Sequence, residues 1–436
     1  MRMAWIVLGM AAALAASGAA AQSVTLVQAG KVLDQPGKPP RGAATIVITD
    51  GRITAVRDGW ITLEAAGAPG AKVLDLKSLF VLPGLIDSHV HLDSDTAGVE
   101  ALVDAVTLSP PAQAYEAAVN AKKTLDAGFT TVRNLGDTDG VTLALRDAIA
   151  AGKVVGPRII DAGRSLSTTS GHTDPTVGFR EELHEAIAMG NTCDGVESCR
   201  HAVRAQIGRG VDVIKMATTG GVNSRIGSGI GQQMFDDEAK AIVETAHLYG
   251  KKVAVHAHGA DGIKLALRAG ADSIEHGTLM DDETVALFQK TGAYYVPTLS
   301  TVNGYLERLA KNPNAYTPEV KKKIDWRIQV TGKSLEKATA KNVKIAFGTD
   351  AGVSKHGRNA DEFELMVKHG MTPMGALVAA TVNAADLLGL KAEIGDLTPG
   401  KRADLIAVAG DPLADVKVLK SVVVVMKDGT VFKDAR

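Results

Sequence analysis

The chain has 436 residues, 45% of them hydrophobic, with a formal net charge of −1. That length and core-forming content suit a large α/β domain with a smaller companion, and near-neutral charge without a long basic run excludes nucleic acid as an expected partner. Aromatic residues make up only 4% while glycine numbers 46, a balance of tight strand-to-helix turns and not of a surface that stacks bases or sugars.

In chain order, MRMAWIVLGMAAALAASGAAAQ comes first: Arg2, an apolar run, then Ala19-Ala20-Ala21 before Gln22. This is the layout of a cleavable export signal over residues 1–21. A retained membrane anchor is the alternative, because the run borders on spanning length. No cysteine follows the run, which argues against a lipid anchor. The mature chain is expected to be periplasmic or secreted, without stable membrane insertion once the signal is removed.

Short β-like runs follow: SVTLVQAGKVL, ATIVITDGRITAV and KVLDLKSLFVLPGL, with Asp50-Gly51 as a hairpin turn. The end of the chain reads the same way, in ADLIAVAG and in VVVVMKDGTVF around Asp428-Gly429. Both ends are expected to join in one small β domain; two unrelated hairpins are the alternative.

The middle alternates helical and strand-like stretches. PAQAYEAAVNAKKTLDAG leads into FTTVRNLG, DEAKAIVETAHLYG into KKVAVHAHG, and a long charged helix through TGKSLEKATAKN into VKIAFGTDAG. Strands alternating with helices across Gly-containing turns predict parallel βαβ units, enough of them to close a barrel. A doubly wound open sheet competes, but no GxGxxG follows an early strand. Cys193 and Cys199, in NTCDGVESCR, are the only cysteines. They can close a small disulfide loop in an oxidising compartment or remain separate thiols.

Polar residues collect at the ends of the predicted strands, the edge where barrel enzymes gather their chemistry. His89 and His91 in LIDSHVHLDSD are two apart, so they share a face. Lys215 in GVDVIKMATTGG shares a face with Val211 and Val213, where a charged amine is costly unless paired or neutralised. His256 in VAVHAHG, His276 in SIEHGTL and Asp350 in IAFGTDAG end later strands. Each has a bland reading as a hydrogen-bonded histidine or a helix-capping aspartate, but their repetition at equivalent ends of five strands points to one site.

With these motifs in place, the chain resembles the amidohydrolase superfamily: PGLIDSHVH, the strand-end Lys215, His256, His276, FGTDAG and the tail TVNAADLLGLKAEIGDLTPGKRADLIAV carry the resemblance. It implies a (β/α)8 TIM barrel over residues 84–392 and a small β-sandwich from residues 22–83 and 393–436. It further implies two divalent metal ions, Zn2+ in the first place: His89, His91 and Asp350 on one, His256 and His276 on the other, with carboxylated Lys215 and a hydroxide bridging them. SLSTTSGHTD, KMATTGGVNSRIGSGIGQQMFDDEA and HAHGADGI resemble the prolidase-like and Xaa-Arg/Lys carboxypeptidase-like members and the ochratoxin-degrading amidases. The expected reaction is hydrolysis of the amide bond of a dipeptide or N-acyl amino acid, with Asp350 moving the proton and His172 polarising the carbonyl. His258 is expected near the substrate carboxylate, Arg225, Tyr295 and Ser94 as further substrate contacts, and the chain as a homo-oligomer. The alternatives are hydrolysis of cyclic amides, lactones or organophosphate esters, and a non-catalytic binding protein on the same scaffold. The glycine-rich TTGGVNSRIGSGIGQQ lacks a GK[ST] ending, so it reads as a loop over the site and not as a nucleotide cradle.

Overall fold

The structure is a computed structural model that describes residues 23–225 and 229–436. The expected export signal, residues 1–21, and the centre of the glycine-rich loop, residues 226–228, lie outside the described residues. Among the described residues no helix is long and apolar enough to cross a membrane.

Both ends of the chain build one seven-stranded sheet. Its N-terminal strands are β1 (Val24–Val32), β2 (Ala44–Thr49), β3 (Arg52–Asp58) and β4 (Lys72–Pro83). β4 pairs with β1 in parallel, and its last residues, Phe80 to Pro83, pair antiparallel with a strand from the C-terminal segment. The two hairpin turns read from the sequence explain how the ends meet. Asp50-Gly51 and Asp428-Gly429 all have positive φ, as a type I′ turn demands. A Cβ on Gly51 would sit 2.6 Å from the Asp428 carbonyl oxygen, so the turns touch backbone to backbone. Ala403 bridges them, donating its N–H to Gly51 O and accepting from the Gly429 N–H. Aliphatic side chains including Ile46, Leu76, Leu405 and Val424 form this domain's own core.

Between the ends run parallel strands β5 (Leu85–Val90), β6 (Phe129–Asn134), β7 (Arg158–Asp161), β8 (Ile214–Ala217), β9 (Val253–Ala257), β10 (Ser273–His276) and β11 (Tyr294–Val296). The C-terminal segment then adds β12 (Leu405–Val408), β13 (Val422–Lys427) and β14 (Thr430–Asp434) to the terminal sheet. β5 to β7 form one sheet and β8 to β11 another. They join where Leu166 bridges Met216 and Asp212 donates to Asp161 O. On the far side Ile345 bridges Tyr295, and Ala351 bridges Val90, so residues 345–351 occupy the eighth strand position and close the ring. Every residue of β5, β6, β8, β9, β10 and β11 is buried, as expected for parallel strands covered on both faces. The open doubly wound sheet is thereby ruled out, and the fold is the α/β barrel with a companion β domain.

Two details depart from the sequence reading. The long charged helix is two, Pro318–Val330 and Lys333–Ala340, separated at Gly332, whose φ of 84° is left-handed and ends a helical run. The eighth strand position keeps ladder bonds without becoming a regular strand: the Phe347 N–H goes to Ala379 O, the Thr349 N–H to the Asp87 carboxylate, and the backbone turns through a positive φ at Asp350. Cys193 and Cys199 are joined by a disulfide with Cα atoms 4.9 Å apart, tying the start of helix Val196–Gly208 to the segment before it.

At the C-terminal end of β7, burial and then the neighbouring Asp137 push the Asp161 carboxyl up to about 7, although the Gly163 N–H donated to Oδ1 opposes them. A folded-state pKa above the ordinary carboxylate range means stability that is complete below that range and lost as pH rises through about 7. Asp161→Asn, which cannot ionise, is therefore expected to melt higher relative to the native protein at pH 8 than at pH 5. A difference in melting temperature that is constant across that range would contradict this.

Candidate metal centre and substrate cavity

His89 lies near the end of β5 and His91 just past it; Lys215 lies in β8, His256 in β9 with His258 just past it, and His276 ends β10. These residues and Asp350 line one cavity of about 350 Å3. Their donor atoms fall into two groups, each within 4.8 Å: His89, His91 and Asp350 in one, His256, His258 and His276 in the other. Asp350 Oδ1 stands 3.2 Å from His91 Nε2 and 3.4 Å from His89 Nε2. Lys215, 3% exposed, acts electrostatically on both groups. His276 and Asp350 have φ of 69° and 57°, a left-handed conformation costly for non-glycine residues and common where a side chain must be aimed.

A second layer fixes the rings. The Glu275 carboxylate lies 2.9 Å from His89 Nδ1 and also accepts from Arg133 at 2.8 Å and Ser273 at 2.5 Å. Burial works against its charge, but Arg133, His89 and Lys215 outweigh it and hold the group down at about 2. An ionised carboxylate only accepts, so His89 Nδ1 carries the hydrogen and Nε2 presents a lone pair toward Asp350. Thr298 Oγ1 at 2.7 Å from His276 Nδ1 and Thr278 Oγ1 at 2.7 Å from His258 Nδ1 orient those two rings. Asp87, without a role in the sequence reading, accepts from the His89 and Thr349 N–H groups, the Thr349 hydroxyl and Asn359. It fastens β5 to the segment that carries Asp350.

The electrostatics suit cation binding. Burial, then Lys215, lowers His89 to about 4; burial holds His256, His258 and His276 well below the ordinary imidazole value. Burial acts to raise Asp350, but His89, His91 and Lys215 outweigh it and keep it ionised. Neutral imidazoles beside an ionised carboxylate form the nitrogen and oxygen donor set that divalent transition metals take.

The other expected residues separate. His172 lines the cavity and stacks on His256 with ring centroids 4.0 Å apart. It has room only because residue 221 is glycine: a Cβ there would lie 2.2 Å from the His172 ring. Ser94 also lines the cavity. Arg225 does not: its guanidinium lies over the Phe179 ring at 4.3 Å, a cation–π contact outside the main cavity. Tyr295 is not a lining residue either; it is buried against Phe288, with its ring filling the space beside Gly277. Neither side chain lines the cavity of the donor groups, whereas Arg225 lines a neighbouring one with Thr96, Asn223 and Val353. Glu275 and Arg133 escaped the sequence reading, although the reasoning that singled out Lys215, a charge on a buried strand, applies equally to both. Arg327, on helix Pro318–Val330, also lines the cavity, and its sequence context carries no such mark.

Glu275→Gln keeps the shape of the side chain and removes the charge that fixes His89. It is expected to weaken divalent-ion retention about 10–100-fold, read by competition with a chelator, with little change in circular dichroism. Unchanged retention would show that His89 needs no such support.

Residues 80–432 match the family model described as Amidohydrolase family. The chain is 33% identical to an ochratoxinase of Aspergillus niger, over 94% of this chain and 87% of that protein. Among solved structures it is similar to a Xaa-Pro dipeptidase with methionine bound in the active site, at 40% identity and TM-score 0.89 over 94% of this chain and all of that one. It is similar also to a prolidase complexed with N-methylphosphonate-L-proline, at 32% identity and TM-score 0.84 over 94% of this chain and all of that one. Sequence, barrel and strand-end residues agree: the chain belongs to the amidohydrolase family and is a hydrolase of that family.

Proposed function

We propose that the protein is a binuclear metal-dependent hydrolase that cleaves the amide bond of dipeptides or N-acyl amino acids. The observation that carries this reading is the convergence of two three-residue donor groups in one cavity with a buried lysine. His89, His91 and Asp350 would hold one divalent ion, His256 and His276 the other, with Lys215 between them after its amine has reacted with CO2. Zn2+ suits these donors. When bound, such ions supply a water acidic enough to attack near neutral pH and polarise the scissile carbonyl.

The chain's own groups complete the chemistry. Asp350 takes the proton of the attacking water and passes it to the departing amine. Ser224 Oγ accepts the Gly221 N–H at 2.9 Å and lies 2.6 Å from His172 Nδ1, which orients the ring. With the Ser224 hydroxyl donating to Nδ1, His172 would carry its hydrogen on Nε2 and offer it to the developing oxyanion. Burial lowers the Lys215 amine to about 8, with Glu275 and Asp350 opposing; its neutral fraction near neutral pH is what reaction with CO2 requires. His258 is assigned to the substrate carboxylate. The relatives named ochratoxinase and dipeptidase support amides with a free carboxylate over lactones and organophosphate esters. The disulfide supports an oxidising compartment, in line with an exported protein whose signal is residues 1–21; self-association into a homo-oligomer is part of the same proposal.

A dipeptide and N-acyl amino acid library that includes ochratoxin A tests the reaction: cleavage confined to substrates with a free carboxylate is expected, and preferential cleavage of lactones or phosphate esters would overturn it. Metal analysis is expected to give two ions per chain. Lys215→Ala should lose on the order of 100-fold or more in turnover, and full turnover with both ions retained would refute the bridge. Gly221→Ala, which pushes the His172 ring aside, should lower kcat on the order of 100-fold while leaving metal content intact.

A further inference from the structure

We infer that Arg327 is the receptor for the substrate's carboxylate, reaching the cavity from helix Pro318–Val330 outside the ring of strands. This rests on the amidase reading and adds to it the residue that selects carboxylate substrates.

The starting observation is a cation buried without a hydrogen-bonded anion among the described residues. Arg327 is 3% exposed. Among the described residues its guanidinium reaches only neutral oxygens, at long range: Thr331 Oγ1 at 3.3 Å, Pro297 O at 3.5 Å and Thr298 O at 3.4 Å. Arg133, equally buried, has the Glu275 carboxylate at 2.8 Å. The two nearby acids that could serve Arg327 are committed elsewhere. Glu362 accepts the Leu299 and Ser300 N–H groups at 2.9 and 2.6 Å, and Asp350 faces His89 and His91. A buried charge without a hydrogen-bonded counter-charge is expensive, and it is tolerated where a ligand completes it.

Position and shape name that ligand. Arg327 is the strongest charged neighbour acting on His258, and the adjacent Trp326 places its ring 6.2 Å from the His258 ring. The guanidinium reaches the Thr298 carbonyl, and the Thr298 hydroxyl holds His276, so it sits at the His258 and His276 side of the donor cluster. A planar fork with weak existing bonds can realign to grip both oxygens of a carboxylate. The helix itself is held in place: Val320 and Ile324 are buried in a cluster with Val222, Tyr305 and Tyr316, and Lys323 donates to the Gly221 and Ser224 carbonyls of the loop that steadies His172. A carboxylate on Arg327 thus sets the reach from the amino acid to the carbonyl beside His172.

The test uses the metal-loaded protein and binding in place of turnover. L-Methionine, L-proline and L-phenylalanine are titrated calorimetrically against their carboxamides, in the native protein, Arg327→Met and Arg327→Lys, with circular dichroism melts to confirm folding. The native protein is expected to prefer the carboxylates. Arg327→Met should lose on the order of 100-fold in carboxylate affinity with carboxamide affinity unchanged, and Arg327→Lys should fall between. If Arg327→Met does not fold, Arg327→Lys decides by the same ratio. A carboxylate preference that survives both substitutions, or a native protein that binds neither form or both equally, would overturn the inference. If the native protein hydrolyses no amide yet binds carboxylates through Arg327, the amidase reading fails and the receptor stands.

Discussion

Four buried imidazoles, His89, His256, His258 and His276, crowd with the Lys215 amine into one end of the barrel. Everything around them follows from keeping that crowd uncharged or compensated. Burial strips water from the rings and holds them neutral, so they offer lone pairs where protonated rings would repel one another. Two carboxylates beside them are held ionised and anchored: Glu275 by Arg133 and Ser273, Asp350 by the imidazoles themselves. The same surroundings that would be unstable as a plain core are coherent as a cation-binding centre.

The barrel supplies the rigidity this requires. Parallel strands buried on both faces place donors from β5, β8, β9 and β10 on one rim, and the eighth position brings Asp350 to His89 by a main-chain bond of 2.8 Å. Asp87 ties the same two segments through side chains. Donors fixed by backbone ladders and by a second layer of hydrogen bonds do not reorganise when charge develops, which is where electrostatic catalysis gains most. Loops and the helix Pro318–Val330 form the outer wall, where substrate selection can vary without disturbing the centre.

Much of this was legible in the chain. Alternating strand and helix patterns, hairpin signals at Asp50-Gly51 and Asp428-Gly429, and polar residues recurring at strand ends are local features, and local backbone physics produces them. His89, His91, Lys215, His256, His276 and Asp350 stood out because each interrupts an apolar strand near its end. Arg133 and Glu275 interrupt strands too, yet their meaning depends on each other across β6 and β10, a pairing that no spacing records. Arg225 and Tyr295 both sit near site motifs in sequence, while one turns to Phe179 and the other into the core.

The sequence by itself determined the strand and helix order, the turn positions and the candidate donor residues, because these depend on side-chain type and short-range periodicity. Only the tertiary structure decided which termini share a sheet, which nitrogen of His89 keeps its hydrogen, why residue 221 has no side chain, and that Arg327 is buried without a carboxylate partner among the described residues. Those are outcomes of distance between residues far apart in the chain, and burial, which sets the cost of every charge here, exists only once the barrel has closed.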